Sequence, residues 1–118
     1  MQAFEIWLAN IPICIGGAMN SGQLPVIIVA AEPDRIGDPM VTIVPCATDL
    51  CARQRKTHVQ LQECGLLPNS CVCCEHIMTV DKTLLWWKLG EVTDPYERYS
   101  IRHALACHLG IPEVWEWA

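Results

Sequence analysis

The segment Ser70–Gly90, with the sequence SCVCCEHIMTVDKTLLWWKLG, most strongly limits what this chain can fold into. Within it, residues Cys71–Val80 are nearly all apolar or cysteine, and the polar pair Glu75 and His76 stands near the middle. Such a run is too short to cross a bilayer as a helix and is typical of a strand buried on both faces. The segment therefore predicts a β-protein with a central strand, and a polar pair inside that strand is a natural place for a functional site.

The sequence on either side predicts further strands. Asp81–Lys82 predicts a turn, after which a strand over Leu84–Val92 is expected to return beside the central one. Apolar alternation or continuous apolar runs predict four earlier strands, at Phe4–Asn10, Pro25–Ala31, Met40–Cys46 and His58–Leu61. These elements predict one domain over residues 1–118, mainly β, folded as a small and strongly bent barrel.

A single helix is predicted after the last strand. Asp94 is a favourable N-cap, Pro95 suits the first turn, and Glu97 stands where a capping box requires an acid. Gly110 and Pro112 end the helical pattern. The barrel is therefore expected to carry a C-terminal α-helix.

Charge and cysteine usage limit the function classes. The 118 residues include 13 acidic and 8 basic side chains, for a net charge of −5. This balance argues against a broadly basic nucleic-acid-binding surface and leaves only a local basic patch. The N-terminal residues MQAFEIWLANIP lack the basic start of a signal peptide, and no apolar run reaches transmembrane length. The eight cysteines are therefore expected to be reduced, in a cytoplasmic protein that does not contact a membrane.

The cysteines of the central segment suggest a zinc site at first sight. Cys71, Cys73, Cys74 and His76 offer thiolate and imidazole groups, which are zinc ligands. On a straight strand, however, Cys71 and Cys73 face one side while Cys74 and His76 face the other, so that four ligands do not converge. The pattern favours buried, unreactive cysteines, and no metal or other cofactor is predicted. A Cys–His nucleophile stays open as an alternative, although no spacing favours a particular pair.

One cationic cluster stands out, formed by Arg53, Arg55 and Lys56, with His58 close behind. Such a cluster is able to hold a phosphate backbone. The alternative is an ordinary solvated loop.

The tryptophans indicate assembly. Trp86 and Trp87 are adjacent, and neighbouring residues of a strand point to opposite faces, so one of them is expected in the core and the other at the surface. Trp115 and Trp117 lie in an apolar tail. This amount of exposed apolar surface predicts a symmetric homodimer.

The order of the motifs FEIWLANIP, PVIIVAA, TIVPCATD, KTHVQL, CEHIMTVDK, KLGEV and HALACHLGI resembles the PemK/MazF family, the toxin halves of bacterial type II toxin–antitoxin pairs. The resemblance runs from Phe4 to Ile111. It implies an SH3-like β-barrel with a C-terminal α-helix, usually a homodimer. It also implies sequence-specific, metal-independent cleavage of single-stranded RNA, restrained by an antitoxin peptide that occupies the RNA groove.

The family's motifs imply site residues in this chain. The family's hydroxyl residue at the end of the third strand is retained as Thr48, and the Glu of its C-E-Q run is retained as Glu75. A guanidinium that stabilises the phosphate is expected from a neighbouring loop, from Arg53 or alternatively from Arg55 or Arg35, and Thr48 and Arg53 are taken as the catalytic residues. The predicted RNA-binding residues are Asn20, Arg55, Lys56, His58, Glu75 and His76.

One position departs from the family. The family's catalytic Arg immediately precedes the Pro of the second strand, and that position is Leu24 here. If Leu24 lies at the mouth of the groove beside Thr48, cleavage is impaired, because losing one such donor costs on the order of 10²- to 10³-fold in rate. Leu24→Arg is then expected to restore cleavage. The alternative function is a non-catalytic module that binds RNA or an antitoxin on the same fold.

Overall fold

The computed structural model of the protein describes residues 1–11, 13–15, 18–20, 22–30, 39–48, 56–61 and 70–112, and for residues 13–15, 18–20 and 48 it describes the backbone. Within these ranges the chain forms nine strands and one α-helix. These are β1 (Glu5–Asn10), β2 (Ile13–Ile15), β3 (Ala18–Asn20), β4 (Gln23–Ala30), β5 (Met40–Thr48), β6 (His58–Gln60), β7 (Ser70–Cys73), β8 (Met78–Asp81), β9 (Leu85–Glu91) and α1 (Pro95–Leu109). Single turns of 3₁₀ helix, Cys74–His76 and Lys82–Leu84, separate β7 from β8 and β8 from β9.

Seven of these strands form one antiparallel sheet. Its order is β6–β7–β5–β4–β1–β9, with β8 also paired to β5, while β2 and β3 pair as a separate hairpin. Together with the C-terminal helix, this sheet confirms the predicted mainly β fold. Among the described residues the sheet does not close completely, since β6 and β9 stand at the two ends of its path. The predicted partner of the last strand is wrong, because β9 pairs with β1 and not with the strand that precedes it.

The predicted central strand is interrupted. β7 and β8 pair with the two ends of the same long strand, β5, and the 3₁₀ turn Cys74–His76 lies between them. Val72 stands opposite Cys46 and Met78 opposite Ile43, so six steps along this segment match only three steps along β5. Three residues are therefore looped out of the sheet, in the manner of an enlarged bulge. The prediction of one continuous strand is wrong, and the polar residues of the turn leave the plane of the sheet.

The sheet buries apolar residues on both of its faces. Ile101 and Ala104 of α1 pack with Ile27 of β4 in one buried cluster. Val26 and Ile28, the neighbours of Ile27 along β4, lie in a second buried cluster. Because side chains alternate along a strand, a strand covered on both faces needs the continuous apolar run that β4 has.

The predicted start and end of the helix are confirmed. Asp94 caps α1, since its side chain accepts a hydrogen bond from the backbone N–H of Tyr96 at 2.9 Å. Gly110 ends the helix in the left-handed conformation, with φ of 71°, and its N–H donates to the carbonyl of Cys107. In the part of the chain that is described, no helix is long and apolar enough to span a membrane.

Candidate functional site

The looped-out turn sets Glu75 against the edge strand β6. His58, in β6, is paired with Cys73 in β7, two residues before Glu75. The Nε2 atom of His58 lies 2.5 Å from Oε1 of Glu75, within hydrogen-bond distance. The Nε2 atom of His76 lies 3.9 Å from the same carboxylate oxygen. The structure thus brings three of the predicted site residues together around one carboxylate.

The His58–Glu75 pair is largely withdrawn from solvent. The side chains of His58 and Glu75 are 7% and 17% exposed. Burial by itself raises the pKa of Glu75, but hydrogen bonds from Thr57 and His58 and the attraction of His58 lower this pKa overall. Glu75 is therefore a carboxylate at neutral pH, and it fixes the orientation of the imidazole ring. The other ring nitrogen, Nδ1 of His58, is buried and has no hydrogen-bond partner among the described residues.

A cavity of about 380 Å³ opens beside this pair, between β6 and α1. We call it the β6–α1 groove; it is lined by Lys56, His58 and Gln60 on the strand side and by Tyr99, Ser100 and His103 on the helix. The rings of Tyr99 and His103 are stacked, with centroids 6.1 Å apart. The groove thus combines a cationic side chain, hydrogen-bonding groups and an aromatic surface, which suits a ligand with anionic and planar aromatic parts.

The other predicted site residues lie apart from this groove or outside the description. Thr48 is the last residue of β5 and is paired with Ser70 of β7, whereas His58 is paired with Cys73 of the same strand. Ser70 and Cys73 are three residues apart, which is about 10 Å along a strand. Asn20 is the last residue of β3, in the separate hairpin. Arg53 and Arg55 lie outside the described residues.

Leu24 does not lie at the mouth of a groove. Its side chain is 2% exposed and belongs to the same buried cluster as Ala9 and Val26. Leu24 stands opposite Ala9 in the pairing of β4 with β1. Because alternate residues of a strand share a face, Leu24 points to the same interior as Val26 and Ile28. The predicted placement of this side chain at the surface is therefore wrong.

The cysteines of the central segment fall into different environments. Burial, reinforced by the charge of Glu75, raises the pKa of Cys74 to about 12, so this residue is an unreactive thiol at neutral pH. Cys73 is also fully buried, but its Sγ atom and one ligand atom each of His58 and Glu75 all lie within 4.8 Å of one another. Sequence reasoning missed this cluster because it assumed a straight strand and had no means of pairing His58 with Cys73.

Sequence reasoning also missed the helix side of the β6–α1 groove. Tyr99 and His103 are four residues apart, and that spacing on a helix places them on one face. The sequence therefore indicates that Tyr99 and His103 share a face of α1. Only the packing of α1 against β6 shows that this face lines a groove.

The tryptophan pair differs from its prediction. Trp86 and Trp87 are 43% and 51% exposed, so neither is in the core. They lie in β9, an edge strand whose pairing with β1 contains register shifts, and such irregularities break the simple alternation of faces. Trp115 and Trp117 lie outside the described residues.

Comparison with known proteins gives a family and several solved structures. The model of the family described as "PemK-like, MazF-like toxin of type II toxin-antitoxin system" matches residues 2–107. No curated protein matches the chain in sequence.

Among solved structures, an endoribonuclease in complex with its cognate antitoxin from a Mycobacterial species is 27% identical, with a TM-score of 0.73, covering 93% of this chain and 95% of that one. Mycobacterium tuberculosis toxin MazF-mt6 is 21% identical, with a TM-score of 0.75, covering 92% of this chain and 98% of that one. A MazE–MazF structure from Deinococcus radiodurans is 18% identical, with a TM-score of 0.69, covering 93% and 95%. The latter two show a shared fold.

Proposed function

The chain belongs to the family of PemK-like, MazF-like toxins of type II toxin–antitoxin systems, and on this premise we propose that it cleaves single-stranded RNA at short sequences without a metal ion. The observation that carries the proposal is the extent of the family match, which spans all nine strands and most of α1. A fold can host many functions, but a family match over residues 2–107 covers the site as well as the scaffold.

Metal-independent cleavage places specific demands on the site. Attack of a ribose 2′-hydroxyl on the neighbouring phosphate forms a new P–O bond while the bond to the 5′-oxygen breaks and the 5′-hydroxyl leaves. The transition state carries added charge on a group that is already anionic. We assign the stabilisation of that charge to Arg53, whose guanidinium offers two parallel donors. We assign to Thr48 a hydrogen bond that its hydroxyl donates to the phosphate.

The burial of Leu24 bears on the rate. An apolar side chain turned into the core supplies no donor to the phosphate, so the whole demand falls on other residues. Cleavage is therefore expected to be slow, by on the order of 10²- to 10³-fold relative to a site with one more preorganised donor.

We assign RNA contacts to the residues around the β6–α1 groove. Lys56 is exposed at its edge and is suited to a phosphate. Glu75 is an ionised acceptor for the amino groups of bases, and His58 and His76 lie within 4 Å of its Oε1 atom. Asn20 and Arg55 complete the proposed RNA-binding set.

Two protein partners belong to the proposal. One is a second copy of the chain, because Trp86, Trp87 and Leu89 expose apolar surface along the edge strand β9. The other is an antitoxin peptide that occupies the RNA-binding surface and thereby prevents cleavage.

The experiment is cleavage of a long single-stranded RNA by the purified chain in the presence of a chelator, with mapping of the cut ends. Wild-type protein is expected to give discrete cuts that share a short sequence, and Thr48→Ala is expected to give fewer by at least about tenfold. A duplex of the same RNA is the substrate control and is expected to stay intact. Binding of RNA with strong salt dependence but with no cutting above the Thr48→Ala level would contradict cleavage and would indicate a binding module.

A further inference from the structure

We propose that His58, Cys73 and Glu75 form a binding site for a divalent transition-metal ion of the Zn²⁺ class. Two of these residues, His58 and Glu75, also belong to the proposed RNA-binding set. The argument for the metal site rests on their geometry and does not depend on RNA binding or on the cleavage reaction, which needs no metal.

The three side chains converge because of the looped-out turn. His58 and Cys73 face each other across the pairing of β6 with β7, and the turn folds Glu75 back toward them. One ligand atom from each residue lies within 4.8 Å of the other two. Small side-chain rotations bring such atoms to the spacing of a tetrahedral zinc site, in which each ligand lies about 2.0–2.3 Å from the ion.

The chemistry of the three donors selects the kind of ion. One imidazole nitrogen, one thiol sulfur and one carboxylate oxygen form a mixed set that suits zinc and cobalt, whereas calcium and magnesium prefer oxygen alone. On binding, the thiol proton of Cys73 leaves to solvent and its sulfur lone pair forms the bond to the ion, so the step needs no oxidant or reductant.

A second observation also points to a missing ligand. The side chain of His58 is 7% exposed, and its Nδ1 atom is buried without a hydrogen-bond partner among the described residues. A buried polar atom of this kind requires a partner. The Oε2 atom of Glu75 is likewise buried without a hydrogen-bond partner among the described residues, and an ion bound at this oxygen gives it one.

Neighbouring residues fit the same assignment. His76 lies beside the cluster, with its Nε2 atom 3.9 Å from Oε1 of Glu75, but it is not one of the three residues whose ligand atoms converge, so the fourth position of a tetrahedral ion is left to water. Cys74, by contrast, directs its Sγ atom to the carbonyl of Ile101 at 4.0 Å and packs in the other core cluster. The site therefore uses one of the two adjacent cysteines.

The test is titration of the reduced, metal-free chain with Co²⁺, whose bond to sulfur absorbs in the near ultraviolet, followed by competition with Zn²⁺. Wild-type protein is expected to bind one equivalent with this absorption, to lose it when Zn²⁺ is added, and to melt at a higher temperature with Zn²⁺. Cys73→Ser and His58→Ala are expected to bind at least about tenfold more weakly.

Two further variants keep the test decisive. Cys107→Ser is the matched control, because the Sγ atom of Cys107 lies 3.7 Å from Nε2 of His103 on α1 and forms a separate Cys–His pair; it is expected to bind as wild type does. Glu75→Gln replaces Cys73→Ser in the test if the latter fails to fold, because Glu75 is partly exposed and its substitution disturbs the core less. It is expected to weaken metal binding and to leave the circular dichroism spectrum unchanged. The proposal is overturned if wild type binds no Co²⁺, if Cys73→Ser or Glu75→Gln binds as tightly as wild type, or if Cys107→Ser is the variant that loses binding.

Discussion

Leu24 and Glu75 show, at the scale of single residues, how surroundings decide what a side chain contributes. Side chains alternate between the two faces of β4, and the side chain of Leu24 faces the core, where it packs with Ala9 and Val26. Glu75 leaves the sheet in a three-residue turn and meets His58, where hydrogen bonds outweigh burial and keep it ionised. The first residue therefore contributes to stability, and the second is available for binding.

Leu24→Arg is expected to destabilise the fold and not to restore cleavage. A buried guanidinium without a partner costs about 3–5 kcal/mol of the free energy of unfolding. Urea denaturation measures this loss. Gln23→Arg is the matched control, because Gln23 is the exposed neighbour of Leu24, and it is expected to change stability by less than about 0.5 kcal/mol. A Leu24→Arg protein that is as stable as wild type and cuts RNA faster would show that this side chain reaches the surface.

Glu5 is expected to make stability depend on pH in the acid range. Burial raises its pKa, but the hydrogen bond from the indole of Trp7, a backbone hydrogen bond and Lys88 lower the pKa overall from its ordinary 4.5. The stabilisation is complete above pH 4.5 and is lost as the pH falls through the lowered pKa of the folded state. Urea midpoints from about pH 6 down to about pH 3 are expected to fall less for Glu5→Gln than for wild type. Glu91→Gln is the control and is expected to show the same pH dependence of the urea midpoint as wild type. The same pH dependence in Glu5→Gln and wild type would rule out a contribution from Glu5.

At the scale of elements, α1 is held to the sheet by few buried side chains. Ile101 and Ala104 are its buried residues, and the guanidinium groups of Arg98 and Arg102 lie 5.0 and 4.8 Å from the centre of the Phe4 ring. The Nε–H of Arg98 also donates to the carbonyl of Val92 at 2.6 Å. Phe4 thus links the helix to the start of the chain through cation–π contacts.

Phe4→Leu is expected to loosen α1. It keeps an apolar side chain but removes both cation–π contacts, each worth about 0.5–1 kcal/mol, so the free energy of unfolding should fall by about 1–2 kcal/mol. Hydrogen exchange of the α1 amides and urea denaturation measure the effect. Tyr96→Leu removes an aromatic ring that is 82% exposed on the same helix and is expected to leave both measurements unchanged. An equal effect of the two substitutions would contradict the role given to Phe4.

The elements also show what the sequence can predict here and what it cannot. The caps of α1 and the strand β4 follow from local signals, namely Asp94, Gly110 and a continuous apolar run, and the structure confirms them. The turn Cys74–His76 does not follow from local signals, because only the pairing of both β7 and β8 with β5 shows that three residues are left out. The proximity of His58 and Glu75 depends on that non-local register, and so does the metal site.

At the scale of the whole molecule, the sheet formed by the described strands has two different edges. β6 carries the His58–Glu75 pair and the β6–α1 groove, whereas β9 carries exposed Trp86 and Trp87. An edge strand with exposed apolar side chains is a template for association, and monomers usually protect such an edge with charge or a bulge. From this contrast we expect ligand binding at the first edge and self-association at the second.

The chain is therefore expected to be a dimer in solution. Sedimentation velocity at tens of micromolar should report a dimer for wild type and a shift toward monomer for Trp87→Lys, because a charge placed in an apolar interface loses its hydration. Tyr96→Lys changes an exposed aromatic residue of α1 and not of β9, so it is the control and should leave the dimer intact. A wild-type monomer would contradict the assignment.

RNA binding at the edge built by the looped-out turn is tested most directly by amide NMR with a non-cleavable single-stranded RNA analogue, which lacks the 2′-hydroxyl at each linkage. We expect the largest shifts at Lys56–Gln60, Cys74–Ile77 and Tyr99–His103, and we expect them to shrink as salt is raised. Shifts confined to β9, with these three segments unchanged at saturating RNA, would contradict RNA binding at this edge.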